Sequence, residues 1–222
     1  MTRRQTSGAP APEAPYGLRE RKKRRTREAL LHAALRLFTT QGYERTTIDE
    51  IVGAVDVSQR TFFRYFANKE AVAFAAQEEV DARFLTELRQ RPATETPFEA
   101  LRRAVLNAWT ARAEADDDDI TAELQMRAYR MIESTPALHA AHMRRHIDLE
   151  RQTALLIAER EGLDPEADPR PLVAVAAFSG VIRMTGQLWG RRNDPGVDAL
   201  RELTELHLDQ LGPALSGSWH AA

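Results

Sequence analysis

The sequence predicts an all-α protein of about nine helices. Apolar residues recur at three- and four-residue spacing through most of the chain, and no segment shows sustained alternation of polar and apolar residues. Glycine, proline and capping residues separate the periodic segments. The 222 residues, 43% hydrophobic and 29% charged, are enough for one large domain or two modest ones.

The first predicted helix covers 18–41 and ends at Gly42. One of its faces carries five apolar residues at helical spacing: Leu30, Leu31, Ala34, Leu37 and Phe38. A glycine just after the last periodic residue is a common helix stop. Residues 1–17 are rich in Pro, Ala, Ser and Gly without periodicity, so they are predicted to form a disordered arm.

Two short helices follow the first one. Thr47 precedes Glu50 by three residues, and this capping box starts the first short helix. Ser58 is a suitable N-cap for the second, which is predicted over 59–66. Asp56 lies in the turn between them. Two short helices joined by such a turn are typical of a helix-turn-helix.

The rest of the sequence predicts six longer helices, which are separated by breaks that contain proline or acidic residues. They cover 69–91, 98–114, 120–133, 136–162, 170–191 and 196–212. The acidic run at 116–119 is predicted to be a solvated loop rather than a cation site. We therefore predict a head at 18–67, a larger helical domain at 68–214 and a tail at 215–222.

Charge is distributed unevenly along the chain. Residues 1–70 carry 14 Lys and Arg against 8 Asp and Glu, a net charge of +6, whereas the rest carries 17 against 25, a net charge of −8. A basic first third indicates a polyanionic partner such as nucleic acid. Much of the excess lies in RERKKRRTR at 19–27, and chance clustering there is the alternative.

Composition also restricts the location of the protein. The absence of cysteine excludes disulfides and thiolate metal sites, and it fits a cytoplasmic protein. The N-terminal residues lack the apolar run of a secretory signal. The longest apolar run, at 171–182, is too short to span a membrane, so no membrane partner is predicted.

The helix predicted at 59–66 has two different faces. Phe62, Tyr65 and Phe66 share its inner face by three- and four-residue spacing. The outer edge then presents five side chains: Gln59, Arg60, Thr61, Phe63 and Arg64. Arg pairs with guanine, Gln pairs with adenine, and a Thr methyl can contact the methyl of thymine. The pattern predicts DNA binding; a helical hairpin with a solvated charged face is the alternative.

Residues 24–73 resemble the N-terminal domain of the TetR family of bacterial transcriptional regulators, in a form typical of its actinobacterial-type branch. The resemblance depends on an ordered set of matches: Phe38, Gly42, Tyr43, Thr46, Thr47, Val57, Ser58, Thr61, Phe63, Tyr65, Phe66, Lys69 and Glu70. Asp56 replaces the usual turn glycine, and Arg60 replaces a commonly small residue. Asp tolerates a left-handed backbone, so the turn is still expected to form.

The resemblance implies a set of ten DNA-contacting residues: Thr46, Thr47, Ser58, Gln59, Arg60, Thr61, Phe63, Arg64, Tyr65 and Lys69. Within this set, Thr47, Tyr65 and Lys69 would contact phosphates, and Arg60 would alter which bases are preferred. Lys69 lies in the first turn of a helix, beside the positive end of the helix dipole, which indicates an external anion. The basic segment at 19–27 would follow the DNA backbone or enter a minor groove; a solvated start of the first helix is the alternative.

The resemblance further implies that the larger domain binds an effector and forms a homodimer. The last two helices would pair with their copies in a four-helix bundle through two apolar stripes: Val173, Ala177, Val181 and Met184, then Leu200, Leu203, Leu206, Leu208 and Leu211. Intrachain core is the alternative for these stripes. Two heads one turn of DNA apart would read a palindromic operator in double-stranded DNA.

A ligand pocket is predicted among the helices of 98–162, for an apolar or amphipathic small molecule. Methionine and aromatic residues at helical spacing are candidates for its lining, although they are also typical of a packed core. The six candidates are Trp109, Met126, Tyr129, Met131, His142 and Phe178. His139, His142 and His146 share a helix face but have no acidic residue among them, so we expect a surface cluster rather than a metal site. No metal or other cofactor is predicted.

Together these features predict a dimeric repressor that a small effector releases from DNA. A constitutive or architectural DNA-binding protein without an effector is the alternative. No Ser-His-Asp set, glycine-rich phosphate loop, HExxH motif or paired Glu-x-x-His motif is found in the sequence. We therefore predict no enzymatic activity and name no catalytic residue.

Overall fold

The computed structural model describes residues 15–113, 121–192, 194 and 196–217, and within these residues it has nine α-helices and no β-strand. The helices are α1 Pro15–Gln41, α2 Ile48–Gly53, α3 Gln59–Phe63, α4 Lys69–Gln90, α5 Pro97–Ala113, α6 Ala122–Ser134, α7 Pro136–Glu161, α8 Arg170–Gly190 and α9 Val197–Ser216. The predicted all-α class is confirmed.

Three boundaries differ from the sequence prediction by three residues or more. α1 begins at Pro15, inside the predicted arm, and α9 continues to Ser216. α3 ends at Phe63, because Arg64 and Tyr65 form a turn instead of a further helical turn. Residues 1–14, the predicted acidic loop at 116–119 and the end of the predicted tail lie outside the described residues.

Side-chain caps fix the starts of α2, α3 and α4. At α2, Thr47 Oγ1 accepts from the backbone N–H of Glu50 at 3.2 Å, while a Glu50 carboxylate oxygen accepts from the backbone N–H of Thr47 at 2.8 Å. Ser58 Oγ accepts from the backbone N–H of Thr61 at 3.2 Å, and Asn68 caps α4 in the same way. These bonds satisfy N–H groups that the helices themselves leave unpaired, so the predicted capping box and N-cap are confirmed.

The turn between α2 and α3 uses a left-handed backbone at Asp56, with a φ of 54°. Asp56 is the one non-glycine residue in the described ranges with a positive φ. Gly42, which ends α1, has a φ of 95°, a conformation that strongly favours glycine. Both observations confirm the turn positions predicted from the sequence.

Two main cores hold the nine helices together. The first joins α1–α4 to α6 and α7, and Phe38, Phe62 and Phe74 are at its centre. The second joins α4 and α5 to α7, α8 and α9 around Leu101 and Phe178. Because α4 contributes to both cores and the first core continues beyond the head, the division at 67/68 remains a prediction.

α8 and α9 keep part of their apolar surface in solvent. Val173 is 64% exposed and Leu206 is 58% exposed, and Leu172 and Met184 are exposed on α8 as well. By contrast, Leu203 and Leu208 are buried within the chain, so including them in the predicted outward stripe was wrong. They lie on the inner side of α9, whereas Leu206 lies on its outer side.

α8 also meets the length and composition of a membrane-spanning helix, with a mean hydropathy of 1.3. Among the described residues, α8 is the one helix that meets this test. In its apolar window, 28% of the residues are buried inside the protein. α8 supplies Val175, Phe178 and Thr185 to the interior. A single apolar helix that packs in a core is weak evidence for a membrane span.

Candidate nucleic-acid interface and ligand cavity

α3 presents the polar edge predicted from its sequence. Gln59, Arg60 and Arg64 are exposed, and Phe63 is 52% exposed. We call these four residues the α3 surface. Thr61, which was predicted to lie on the same edge, is partly buried, and so is Tyr65, which was predicted to lie on the inner face.

The inner face of α3 packs on aromatic and aliphatic side chains. Phe62 is fully buried (0% exposed), and its ring centroid lies 5.6 Å from that of Phe66. Phe38 of α1 packs in the same core and makes an edge-on contact with Tyr43 at 5.1 Å. These contacts attach the short α3 to longer helices, which a five-residue helix requires because it is not stable alone.

Local bonds orient the α3 surface. Gln59 Nε2 donates to Asp49 Oδ1 of α2, so its amide is held across the helix-turn-helix. The Arg64 guanidinium lies 5.0 Å from the centroid of the Tyr65 ring and donates to its hydroxyl at 3.2 Å. Arg60 has no such intrachain partner among the described residues, and it is free to contact an external group.

The environment of Lys69 differs from the expected one. Its ammonium donates to the backbone carbonyls of Tyr43 at 2.8 Å and Thr46 at 3.0 Å, and it lies 4.3 Å from the centroid of the Tyr43 ring. The argument that Lys69 requires an external anion was therefore wrong, because carbonyl dipoles of the α1–α2 turn already stabilise its charge. Burial raises the pKa of Tyr43 to about 12, so its ring stays neutral beside the ammonium.

Thr46 is also engaged inside the protein. It is 1% exposed, and its hydroxyl donates to the carbonyl of Gly42 at 2.9 Å. A side chain buried in this way has no surface to offer DNA, so the prediction of a Thr46 side-chain contact is corrected. Thr47, Ser58 and Thr61 lie nearer the surface, but each hydroxyl is used in a helix cap or in the bond between Ser58 and Thr61.

The basic start of α1 is exposed from Arg19 to Arg25. Arg27, at the end of this segment, is used inside the protein: it pairs with Glu79 of α4 at 2.5 Å, and its guanidinium lies 5.4 Å from the centroid of the Phe66 ring. The exposed cations continue the positive surface of the head along α1. Arg27 instead attaches α1 to α4.

A cavity of about 230 Å³ lies between the helices of the larger part of the chain. Four of the six predicted residues line it: Trp109, Tyr129, His142 and Phe178. Met126 and Met131 do not line it, because Met126 packs with Trp189 and Leu203, and Met131 packs in the first core. Those two assignments were wrong.

The cavity also has walls that the sequence analysis did not include. α4 contributes Gln77, Asp81 and Phe84, and α8 contributes Arg183 in addition to the predicted Phe178. The α4 residues recur at four- and three-residue spacing, so one face of that helix follows the cavity. This periodicity was present in the sequence, but the same pattern is typical of a core-facing helix.

The three histidines of α7 are not a surface cluster, which corrects that prediction. His142 is 1% exposed, and its Nε2 lies 3.1 Å from Nε2 of His146. Burial, and then the neighbouring His146 and His139, lowers the pKa of His142 to about 4; burial also lowers the pKa of His146. Glu133 Oε1 lies 3.6 Å from His142 Nε2 and 3.5 Å from His139 Nδ1.

The acidic and histidine side chains do not assemble into a metal centre. Among the residues that the structure describes, no group of three or more such side chains is arranged to hold a metal ion. His142 instead makes aromatic contacts: it stacks on Phe74 at 6.2 Å and meets Tyr129 edge-on at 6.1 Å. His142 and His146 are therefore part of the cavity wall.

A helix-turn-helix head on a helical body that contains an apolar cavity defines a DNA-binding transcriptional regulator. Family models match both parts of the chain. Residues 30–76 match the model described as "Bacterial regulatory proteins, tetR family", and residues 95–216 match the model described as "MftR C-terminal domain". The chain belongs to the TetR family, as the resemblance indicated.

Similar proteins are transcriptional regulators from bacteria. The HTH-type transcriptional regulator TcmR of Streptomyces glaucescens is 41% identical over 208 residues, which cover 94% of this chain and 92% of TcmR. A putative mycofactocin biosynthesis transcriptional regulator, MftR of Mycobacterium tuberculosis, is 26% identical over 174 residues, which cover 77% of this chain and 83% of MftR. These relatives and families are regulators, not enzymes.

Solved structures show the same fold at low sequence identity. A putative TetR-family regulator from Syntrophomonas wolfei has a TM-score of 0.61 at 17% identity, over 90% of this chain and 99% of that one. SmeT, in a complex with triclosan, has a TM-score of 0.59 at 21% identity, over 86% and 91% of the two chains. At this identity the likeness is informative about the fold alone.

Proposed function

We propose that the protein acts in the cytoplasm as a homodimeric repressor. Two copies of the α3 surface bind a palindromic operator, and an apolar or amphipathic small molecule in the cavity releases the protein from DNA. The observation that carries this proposal is the geometry of α3, because Phe62 is buried while the Gln-Arg edge is exposed. The cavity of about 230 Å³ supports the second part.

The charge of the head supports binding to a polyanion. The exposed cations of α1, from Arg19 to Arg25, lie in the same module as the α3 surface. Cations that contact phosphates give affinity without sequence preference, whereas side chains at base edges give specificity. We therefore assign the α1 cations to affinity and Arg60 to sequence preference.

The exposed apolar surface of α8 and α9 supports a homodimer. Val173 and Leu206 are exposed on two helices that pack together, and apolar side chains exposed on neighbouring helices are a candidate interaction site. A twofold-symmetric interface uses the same surface on both subunits, so each exposed side chain contributes twice. Such a dimer also provides two heads for the two halves of a palindrome.

α4 provides a physical connection between the cavity and the head. One face of α4 lines the cavity through Asp81 and Phe84, while Glu79 of the same helix pairs with Arg27 of α1. A ligand changes DNA affinity only if it binds one conformation better than the other. We infer that ligand-induced displacement of α4 would move α1, and with it the α3 surface.

Replacing Arg60 by alanine is expected to change base preference. A guanidinium that pairs with a base edge contributes about 1–3 kcal/mol of discrimination at that position. Selection of bound duplexes from a random-sequence pool, with wild type and Arg60→Ala in parallel, measures this effect. We expect wild type to recover sites with twofold symmetry and the variant to lose preference at one position in each half.

Lys23→Ala is the matched control for Arg60→Ala. Lys23 is an exposed cation of α1, 3.8 Å from Glu20, and it lies outside the α3 surface. Its loss should weaken binding to all duplexes to a similar extent and reduce the salt dependence. Identical site preferences for wild type and Arg60→Ala would show that Arg60 does not read bases.

A further inference from the structure

Asp81 is a carboxyl group on the cavity wall without a partner. It lies on α4 between Gln77 and Phe84, on the face that lines the cavity, and it is partly buried. Within the described ranges, it makes no hydrogen bond or ion pair. Polar groups removed from water are normally paired, so an unpaired carboxyl in a cavity is a candidate for ligand recognition.

The cation that acts on Asp81 is already used elsewhere. Arg145 of α7 pairs with Glu78 of α4, lies 3.8 Å from Glu70, and has its guanidinium 4.4 Å from the centroid of the Phe74 ring. Burial raises the pKa of Asp81 to about 7; Glu78 adds to this rise, and Arg145 opposes it. The fold therefore tolerates a carboxyl that is costly to ionise.

Other titratable groups on the cavity wall do not compensate this acid. His142 and His146 have lowered pKa values and are neutral at pH 7. Arg183 of α8 is exposed, and its charge lowers the pKa values of His142 and His146, whereas the cation that acts on Asp81 is Arg145. The rest of the wall is mostly apolar and includes five aromatic rings, which belong to Phe84, Trp109, Tyr129, Phe178 and Trp189.

We propose that Asp81 is the specificity-determining residue of the cavity, and that it selects an effector with a basic nitrogen on an apolar ring system. An ammonium group would pair with the Asp81 carboxylate, and the aromatic faces of the wall would stabilise its charge further. The apolar part of the molecule would occupy the remaining cavity. This inference rests on the proposed function, because it assumes that the cavity is the effector site.

Three matched compounds test the inference on the full chain at pH 8. They are 2-naphthylmethylamine, 2-naphthylmethanol and 2-naphthoate, and isothermal titration calorimetry measures their binding. We expect wild type to bind the amine about tenfold more tightly than the alcohol, because a charge-assisted bond is stronger than a neutral one. The carboxylate should bind most weakly, because it would face Asp81.

Asp81→Asn should remove the preference for the amine and leave binding of the alcohol unchanged. Glu87→Gln is the control: Glu87 lies on the same helix outside the cavity lining and accepts from Asn107 Nδ2 at 3.1 Å. Equal affinity of wild type for amine and alcohol, or an amine preference retained in Asp81→Asn, would overturn the inference. If none of the three compounds binds, the cavity itself is not an effector site, and the inference fails with it.

Stability gives a second readout that does not need a ligand. The pKa of Asp81 is raised in the folded protein, so its ionisation destabilises the fold progressively between its unfolded pKa and pH 7. Asp81→Asn removes this penalty. We expect the variant to melt at a higher temperature than wild type, with a larger difference at pH 8 than at pH 5. A lower melting temperature at pH 8 would show that Asp81 has a structural role instead.

Discussion

Replacing Leu206 by glutamate (Leu206→Glu) is expected to convert the protein from a dimer to a monomer and to lower its affinity for a palindromic site by about 100-fold or more. Leu206 is exposed on α9, so the isolated subunit can accommodate the change. In a twofold-symmetric interface the substitution introduces two like charges and removes two apolar contacts. Sedimentation measures the oligomeric state, and a fluorescence-polarisation titration measures operator affinity.

Leu18→Glu is the matched control for Leu206→Glu. Leu18 is an exposed leucine of α1, 64% exposed, and it lies far along the chain from α8 and α9. Its substitution should leave the dimer intact. A dimer that persists in Leu206→Glu and also in Val173→Glu would contradict the proposed interface. Point substitutions are better here than removal of α8 and α9, since truncation would take Phe178 and Leu208 out of the core.

Phe62→Ala is expected to destabilise the head by about 3–5 kcal/mol, and Phe63→Ala by less than about 1 kcal/mol. Phe62 is fully buried among the aromatic side chains of the head, so truncation leaves a cavity there. Phe63 is its neighbour in sequence but lies at the surface. Urea denaturation, followed by circular dichroism, measures both free energies of unfolding.

The same pair of variants separates folding from DNA contact. Phe63→Ala should remain folded and yet bind DNA more weakly, because Phe63 belongs to the α3 surface. Phe62→Ala should lose DNA binding together with the structure of the head. Equal destabilisation by the two substitutions would show that the inner and outer faces of α3 are assigned incorrectly.

Much of the head could be predicted from the sequence because its signals are local. A capping box, an N-cap and two left-handed turn positions determine where α2 and α3 begin and end, and each depends on residues three or four positions apart. Asp56 is an example, because an aspartate tolerates the positive φ that the turn requires, and this could be expected from the residue type without knowledge of its contacts. Sequence periodicity also separated Phe62 from the exposed edge of α3.

The partners of Lys69 could not be predicted in this way. Its ammonium contacts carbonyls of Tyr43 and Thr46, which lie more than twenty positions earlier in the sequence. The position of Lys69 in the first turn of a helix indicated only that its positive charge needed a partner outside that helix. Only the packing of α4 against the α1–α2 turn shows where that charge is stabilised.

The cavity was predictable only in part for the same reason. Aromatic residues at helical spacing identify an inward face, but they do not distinguish a filled core from a cavity. Met126 and Met131 fill space between helices, whereas Trp109 and Phe178 border the cavity. The outcome depends on the separation of helices that are distant in sequence, and the wall formed by α4 and Arg183 of α8 was therefore missed.

Site-directed DNA cleavage tests the central claim most directly. Since the chain has no cysteine, Arg64→Cys introduces a single attachment point for an iron–EDTA cleavage reagent at the C-terminal end of α3. On a duplex recovered by selection, we predict two groups of cuts, roughly 34–36 Å apart and related by twofold symmetry. The same reagent on Leu155→Cys, an exposed position of α7, should not cut. Cleavage from Leu155→Cys but not from Arg64→Cys, with the protein bound, would contradict the claim that α3 faces DNA.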